Sequence, residues 1–332
     1  MWHYDLIRRY KMRYVMKQVC LVILLAFGFV AGAQNKIVKK PKKQKPVTTQ
    51  VAPKKKRTLK QRNVQSKKDK VDNHPKKVEV DNYPKMAEVD ISPTIGKANY
   101  TPNVKTFYAN GVSFEMVEVR GGTFRMGATS EQISGVNHDE KPVHSVTLSS
   151  FYIGKTEVTQ ALWKAVMGSN PSEFKGDNRP VESVSWDDCQ EFIRKLNDLT
   201  GQNFRLPAEA EWEFACRGGN NSRGYKYSGN NYIDNVAWYT DNSGDKTHPV
   251  ATKSPNELDI YDMCGNVWEW CSDWYGGYTS GAQTNPKGPY TGSFRVYRGG
   301  CWGSHARDYR SSNRSYNYPG NRGAGVGLRL SL

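Results

Sequence analysis

The chain has 332 residues, 37% of them apolar and 12% aromatic, and a formal net charge of +16. Residues 36–70 contain 15 Lys or Arg and a single acid, whereas residues 71–332 carry a net charge of −2. This distribution excludes one compact basic domain over the whole length, because the positive charge belongs to a tail. The rest of the chain is long enough to bury one apolar core.

The N-terminal region is predicted to be a secretory signal peptide spanning residues 1–33. Basic residues precede an apolar run from Val19 to Val30, and small residues follow up to Ala33, where we expect cleavage. An apolar run of this length is too short for the ~30 Å hydrocarbon layer of a membrane. We therefore expect an exported protein, periplasmic or secreted, without a transmembrane span after cleavage.

Residues 34–104 are predicted to form a disordered basic tail and linker. Like charges repel, and the few large apolar side chains of this segment cannot offset the entropy lost on ordering. The tail could bind an anionic surface, such as acidic polysaccharide, lipid headgroups or nucleic acid. Alternatively, it could serve only as a solvated spacer. The globular domain is expected to span residues 105–332.

Local signals predict the first elements of this domain. Alternating apolar residues around the Gly121-Gly122 pair indicate a β-hairpin within 112–127. Helices are predicted at 159–167, at 185–200 and after Pro207, each with a capping residue or helix-starting proline before it and a glycine near its end. Beyond residue 220, the many Gly, Asn, Asp and Ser residues indicate short strands and long structured loops.

The cysteines leave several possibilities open. Five remain after cleavage, which allows two disulfides and one unpaired thiol in an oxidising compartment. Cys189 is expected to lie in the core, on the apolar face of the second helix. The six histidines show no zinc-binding spacing. The five cysteines are Cys189, Cys216, Cys264, Cys271 and Cys301.

Several motifs occur together and in order in the domain. They include "LDIYDMCGNVWEWCSDWY" (258–275), "RLPAEAEWEFACRGG" (205–219) and "RVYRGGCW" (295–302). At these residues the sequence resembles the formylglycine-generating enzyme family, also called the sulfatase-modifying-factor family. The resemblance implies an α+β, C-type-lectin-like fold that is rich in loops.

The resemblance also implies two structural calcium sites. One would use the side chains of Asp262 and Glu269 with the carbonyls of Gly265 and Val267. An alternative for this motif is a packed tryptophan turn with Glu269 in a salt bridge. Calcium needs six to eight oxygen ligands, so each set would need additional donors. The residues implied for the other site are Asn235, Asn242 and the carbonyls of Val236 and Gly244.

Members of this family that produce formylglycine use two cysteines in the loop after the RGG motif and bind copper(I) through both thiolates. Counting from Gly300, those positions hold Ser304 and Tyr309. Hydroxyl groups do not replace thiolates as ligands of a soft metal. We therefore expect no copper and no catalytic residue here. Cys301 lies three residues too early, although it could rebuild a site with another thiol such as Cys271.

These features favour a non-catalytic domain that binds a protein, peptide or glycan at the cell envelope, and not a nucleic acid. The alternative is a formylglycine-generating oxidase with an unusual residue set. Arginine and tyrosine are frequent in binding sites, which favours the loop at 309–323 as the ligand-binding segment, although it could also be an ordinary polar loop. Its candidate residues are Arg310, Arg314, Tyr316, Tyr318 and Arg322.

Overall fold

The computed structural model describes residues 101–132 and 135–332. The predicted signal peptide and nearly all of the predicted tail lie outside these residues, so both stay predictions. The first strand begins at Val104. No helix within the described ranges is long and apolar enough to cross a membrane.

Three small sheets form the framework of the domain. Their strand orders are β1-β2-β5, β3-β4-β7 and β10-β6-β8-β9. Most strands run antiparallel to their neighbours, but β4/β7 and β6/β10 are parallel pairs. The strands are β1 (Val104–Ala109), β2 (Val112–Val119), β3 (Gly122–Met126), β4 (His144–Leu148), β5 (Phe151–Gly154), β6 (Trp268–Trp274), β7 (Gln283–Thr284), β8 (Arg295–Arg298), β9 (Arg314–Asn317) and β10 (Val326–Gly327).

The C-terminal residues extend the first sheet. Tyr152 of β5 exchanges two backbone hydrogen bonds with Leu332, at 3.1 and 2.9 Å, and Gly154 N donates to Leu330 O at 2.9 Å. Ser331 exchanges a further pair with Arg205, both at 2.8 Å. The beginning and the end of the domain therefore meet in the same sheet.

The hairpin predicted within 112–127 is wrong. Its two strands form, as β2 and β3, but β2 pairs with β1 and β5 while β3 pairs with β4. The chain changes sheets at Gly121, where an added Cβ would lie 2.5 Å from Leu148 O. The glycine therefore permits two backbones to pass closely, and it does not mark a hairpin turn.

The three predicted helices are confirmed. The first two are α1 (Gln160–Met167) and α2 (Trp186–Thr200), and α3 (Glu209–Cys216) ends two residues before Gly218. The hydroxyl of Thr159 accepts from Leu162 N at the start of α1. Ser185 and Asp188 form the capping box of α2. Both α1 and α2 end at glycines in the left-handed region, which carry no Cβ penalty there.

The apolar face of α2 packs into the core as predicted, except at its last turn. Cys189, Phe192, Ile193 and Leu196 are buried, whereas Leu199 is 49% exposed. The α2 helix contacts α1 and β1. It therefore closes the side of the domain formed by the first sheet.

Two apolar clusters make up most of the core, and β6 lies between them. Trp270 belongs to the cluster that includes α1 and α2, while the next residue, Cys271, belongs to the cluster around α3. Successive residues of a strand point to opposite faces, which explains this division. The loops that follow β6 and β8 are thus anchored at the centre of the domain.

Candidate functional site

The RGG motif ends β8 and forms a tight turn. Gly299 and Gly300 have φ values of 97° and 77°. An added Cβ on Gly300 would lie 2.5 Å from the ring of Tyr309. Glycine is needed here because the turn is left-handed and the aromatic ring fills the space beside it.

Tyr309, at one of the two positions where the resemblance implied catalytic cysteines, is part of the packing of this loop. Its side chain is 1% exposed. Its hydroxyl donates to the carbonyl of Cys301 and, at 3.2 Å, to that of Ser304. Burial, and next the neighbouring Cys301, raises the pKa of the Tyr309 hydroxyl. A neutral tyrosine therefore holds both ends of the loop in place.

Cys301 and Ser304 contact each other at the surface of this loop. The Cys301 Sγ lies 3.5 Å from Ser304 Oγ, and Cys301 N donates to the same oxygen at 3.2 Å. Burial raises the pKa of the Cys301 thiol, which opposes formation of a thiolate. Cys271 is fully buried in β6, and its electrostatic neighbours are acids and Arg298. None of the five described cysteines is in a disulfide.

The residues implied for one calcium site lie among buried carboxylates. Asp262 Oδ2 accepts from Ala251 N at 2.7 Å. Glu269 is paired with Arg329 at 2.7 Å and accepts from Trp212 Nε1 at 2.6 Å. Glu269 therefore forms a salt bridge, as the alternative interpretation of this motif, a packed tryptophan turn, expected.

Sequence reasoning missed a third acid in this region, Glu157. Its carboxylate accepts from Asn266 Nδ2 at 3.0 Å and from Val267 N at 3.2 Å. Burial raises the pKa of Glu157 well above its usual range, with further contributions from the carboxylates of Asp262 and Glu269. Burial also raises the pKa of Asp262 to about 6.

The residues implied for the other calcium site are engaged with their own loop. Asn242 Oδ1 accepts from Tyr239 N at 2.9 Å, and its Nδ2 donates to Ala237 O at 3.1 Å. Asn235 ends a short 3-10 helix, and its side chain is exposed. Across 101–132 and 135–332, no group of three or more His, Cys, Asp or Glu side chains is arranged to hold a metal ion.

The predicted ligand-binding loop divides into buried and exposed side chains. Arg310 and Arg314 are 2% and 4% exposed and pair with Glu140 and Glu209, respectively. This corrects the expectation that both arginines face a ligand at the surface, because their charges are already compensated inside the domain. Arg322 is exposed and bonds to Asp188.

The exposed members of that loop form part of a larger aromatic surface. Tyr316 and Tyr318 are 43% and 55% exposed. The Tyr316 ring lies 4.0 Å from Tyr275 and 5.0 Å from Phe294, measured between centroids, and Tyr318 lies 4.5 Å from Phe294. We call these four residues the aromatic strip. Tyr275 and Phe294 could not be assigned to it from sequence, since their contacts are long-range.

Comparison with known proteins identifies the family to which this domain belongs. The sequence model of the FGE-sulfatase family, described as the sulfatase-modifying factor enzyme 1-like domain, matches residues 103–332. That match covers well over half of the chain. The chain belongs to the FGE-sulfatase family. The resemblance noted from the motifs is thus confirmed, together with the α+β, C-type-lectin-like fold.

Relatives of this FGE-sulfatase domain have different names. A chaperone protein, LppX, from Paenibacillus barcinonensis is 36% identical over 259 residues, covering 63% of this chain and 84% of LppX. A formylglycine-generating enzyme from Streptomyces coelicolor is 31% identical over 285 residues, covering 65% of this chain and 88% of the enzyme. Among solved structures, Treponema denticola variable protein 1 gives a TM-score of 0.63 at 35% identity, covering 70% of this chain and 99% of that one.

Buried arginines are the feature of this FGE-sulfatase domain that sequence reasoning missed most clearly. Four arginines in the last 35 residues are at most 4% exposed, and each pairs with a buried glutamate. No signal for Arg329 was present in the sequence, because its alternation with leucines in "GLRLSL" places it on the face opposite to theirs, whereas the structure buries both faces. The pairs are Arg298–Glu213, Arg310–Glu140, Arg314–Glu209 and Arg329–Glu269.

Proposed function

We propose that this FGE-sulfatase domain is a non-catalytic binding module, exported to the cell envelope, whose ligand is a protein, peptide or glycan. The observation that carries the proposal is the aromatic strip, which leaves Tyr316 of β9 and Tyr318, just after that strand, partly exposed. Tyrosine offers a large rigid contact area and a hydroxyl for hydrogen bonding, and it is enriched among residues that dominate binding.

The position of the strip favours an extended peptide among these ligands. Tyr316 belongs to β9, which is the edge strand of its sheet and pairs only with β8 within the described part of the chain. An exposed edge can accept another strand through main-chain hydrogen bonds, while neighbouring side chains provide selectivity. The name of the Paenibacillus relative, a chaperone protein, is consistent with a protein or peptide ligand.

The loop after the RGG motif supports the absence of catalysis. Residues 302–332 contain no cysteine. The buried hydroxyl of Tyr309 donates hydrogen bonds to backbone carbonyls, and the side chain at position 304 is also a hydroxyl, that of Ser304. Neither group is a thiolate at neutral pH, so neither can supply a sulfur ligand to copper(I).

One observation favours the oxidase alternative. Cys301 is only partly buried, whereas the other four described cysteines are fully buried. A thiol that remains accessible could react with a substrate cysteine, provided that its pKa were lowered by a ligand. The Streptomyces relative is a formylglycine-generating enzyme, so the alternative requires a direct test.

That test uses the purified protein with a sulfatase-motif peptide, copper and a reductant. Mass spectrometry should show no conversion of the peptide cysteine to an aldehyde. The Cys301→Ser variant should give the same result. Conversion by the wild-type protein that disappears in Cys301→Ser would establish the oxidase and remove the non-catalytic proposal.

Binding is tested by selecting ligands from a random linear peptide library. The selected peptides should lose at least tenfold in affinity for a Tyr316→Ala, Tyr318→Ala double variant, because both rings lie on the strip. The control is Tyr290→Ala, since Tyr290 is fully exposed but outside the strip. Equal affinity for the wild-type protein and the double variant would show that the strip is not the binding surface.

We also propose a structural calcium ion beside Asp262. The support is a charge imbalance, because Glu157, Asp262 and Glu269 are buried together while Arg329 provides a single compensating cation. Buried carboxylates are costly unless they are paired or bind a metal. Asp262 and the Gly265 and Val267 carbonyls would hold the ion, and Glu269 would share its charge with Arg329. The ion would stiffen the segment at 258–275, which includes β6.

A further inference from the structure

A cavity of about 350 Å³ lies between the end of β6, the start of α3 and the loop at 276–289. This volume falls within the range of small-molecule sites, which are usually apolar with a few polar groups that fix the ligand. The cavity is separate from the RGG loop and from the calcium set described above. Nothing in the proposed peptide binding uses it.

Asp273 contributes an unsatisfied acceptor to this cavity. Its side chain is only 4% exposed. Its Oδ2 accepts from Glu209 N and from the hydroxyl of Ser272, both at 2.9 Å. No donor among the described residues reaches its Oδ1, and Asp273 is one of the residues that line the cavity. A carboxylate oxygen that has no protein donor beside a cavity favours a ligand that donates to it.

His144 contributes a second acceptor. Its ring is 2% exposed, and Nδ1 lies 3.1 Å from the carbonyl of Pro142. A carbonyl can only accept, so this contact requires the proton on Nδ1 and leaves Nε2 as an acceptor. The described residues provide no donor to Nε2. His144 also lines the cavity.

The two arginines near the cavity already contact other groups. Arg314 donates to Glu209 through Nε and NH2, at 2.8 and 2.6 Å, and to Gly276 O through NH1 at 2.8 Å. Arg295 lies between the rings of Trp186 and Trp274 and donates to Ser272 O. The carboxylate of Asp273 therefore lacks a direct ion-pair partner within the described residues.

The remaining walls are mostly apolar, and one exposed cation lies among them. Met126, Ala210, Trp274 and two prolines line the cavity, and they suit a short hydrocarbon chain. Lys287 is exposed and also contributes to the lining. Its positive charge disfavours a ligand with a second cationic group.

We propose that this cavity binds a small alkylammonium ion, with the ammonium donating to Asp273 Oδ1 and His144 Nε2 and the hydrocarbon chain against the apolar wall. An ammonium carries three donors and no acceptor, which matches two acceptors without partners. A monocation fits better than a diamine because of Lys287. The proposed alkylammonium site does not depend on peptide binding by the aromatic strip.

The experiment uses isothermal titration of the full chain with n-butylammonium chloride, and with n-butanol as a neutral probe of similar shape. Butylammonium should bind saturably at least tenfold more tightly than butanol. The Asp273→Asn variant should lose at least tenfold in affinity for butylammonium. Its side chain keeps the size of Asp273 and an oxygen for Glu209 N, and its melting curve verifies folding. Asp241→Asn, an exposed aspartate outside the cavity, is the matched control.

The pH dependence gives a second readout that does not need a variant. Burial, together with Glu209 and Glu211 of α3, raises the pKa of Asp273 to about 7. The other charged or titratable groups on this side are Arg295 of β8, Arg314 of β9, Tyr278 and Lys287 of the loop, and His144 of β4. Butylammonium needs the ionised carboxylate, so its affinity should rise about tenfold between pH 6 and pH 8.

Each result of the titrations either supports or overturns the proposed site. Tight binding of butylammonium that is lost in Asp273→Asn and retained in Asp241→Asn supports the site. Butanol binding as tightly as butylammonium, equal affinity for the wild-type protein and Asp273→Asn, or no saturable binding at pH 8 would each overturn it.

Discussion

Asp188 connects two parts of the domain through a single carboxylate. Its Oδ2 accepts from Ser185 N at 2.9 Å within the capping box of α2. Both of its oxygens accept from Arg322, at 2.5 and 2.6 Å. Hydrogen bonds from Arg322 are the main cause that lowers the pKa of Asp188 to about 2, and burial opposes them.

We expect Asp188→Asn to lower the free energy of unfolding at neutral pH. The same substitution should make that free energy fall less steeply as the pH decreases. The pKa in the folded state lies below the ordinary value of 3.8, so the carboxylate stabilises the fold above pH 3.8. That stabilisation is lost as the pH falls toward 2. Urea unfolding across this window should therefore show a smaller decline for the variant than for the wild-type protein.

The control for this experiment is Asp198→Asn, which removes an exposed helix-surface pair with Arg194. Such pairs contribute little to stability. Parallel declines in Asp188→Asn and the wild-type protein would show that the Asp188 carboxylate has the same pKa in the folded and unfolded states.

At the scale of elements, the C-terminal loops are fixed in place by buried ion pairs. Arg310 pairs with Glu140 and also donates to Gly135 O at 2.8 Å. Burial raises the pKa of Glu140, but hydrogen bonds from Arg310, from the backbone of Asn137 and from Ser312 outweigh it and lower that pKa overall. A segment with little strand pairing therefore receives its position from charge-assisted hydrogen bonds.

Breaking this pair should be costly. Arg310→Met leaves Glu140 buried without a cation, and we expect the free energy of unfolding to fall by about 3–5 kcal/mol. The double variant with Glu140→Gln should be less destabilised, since no unpaired charge remains. Chemical denaturation measures both values.

Arg194→Met is the comparison for this prediction, because Arg194 is exposed and its pairs lie on the surface of α2. Its expected effect on the free energy of unfolding is much smaller, because exposed surface pairs contribute little. Similar losses for Arg310→Met and Arg194→Met would contradict the anchoring role of the buried pair.

The segment at 258–275 should respond to removal of calcium. Binding to the folded state alone contributes about 2.7 kcal/mol at a hundredfold excess over Kd. A chelator should therefore lower the melting temperature of the wild-type protein but not that of Asp262→Ala, which lacks the proposed ligand. An unchanged melting curve, with no calcium detected by elemental analysis, would refute the site.

The elements show what sequence could and could not predict. The ends of α1 and α2 were predictable because Thr159, Ser185 and the following glycines act within one helical turn. The partners of β2 and β3 were not, since sheet pairing is decided by residues far along the chain. Arg310 was expected at the surface because its partner, Glu140, lies 170 residues away.

For the whole molecule, charge separates two regions with different expected roles. The basic charge lies within residues 36–70, and the strands of the domain pair with one another within the described ranges. Deletion of 36–70 should leave the melting temperature unchanged. It should weaken retention on a heparin column, and added salt should have the same effect on the full chain because it screens exposed charges. Equal retention of both proteins would remove the tail from any binding role.

The contact between β5 and residues 330–332 has a consequence for biosynthesis. In this contact, 179 residues separate Tyr152 from Ser331. A growing chain exposes β5 with one open edge until residue 332 has left the ribosome. Such distant pairing slows folding, since long loops must close before the contacts form. Completion of the first sheet is therefore one of the last steps in the synthesis and folding of this domain, and nascent chains depend on late closure to protect that edge from other strands.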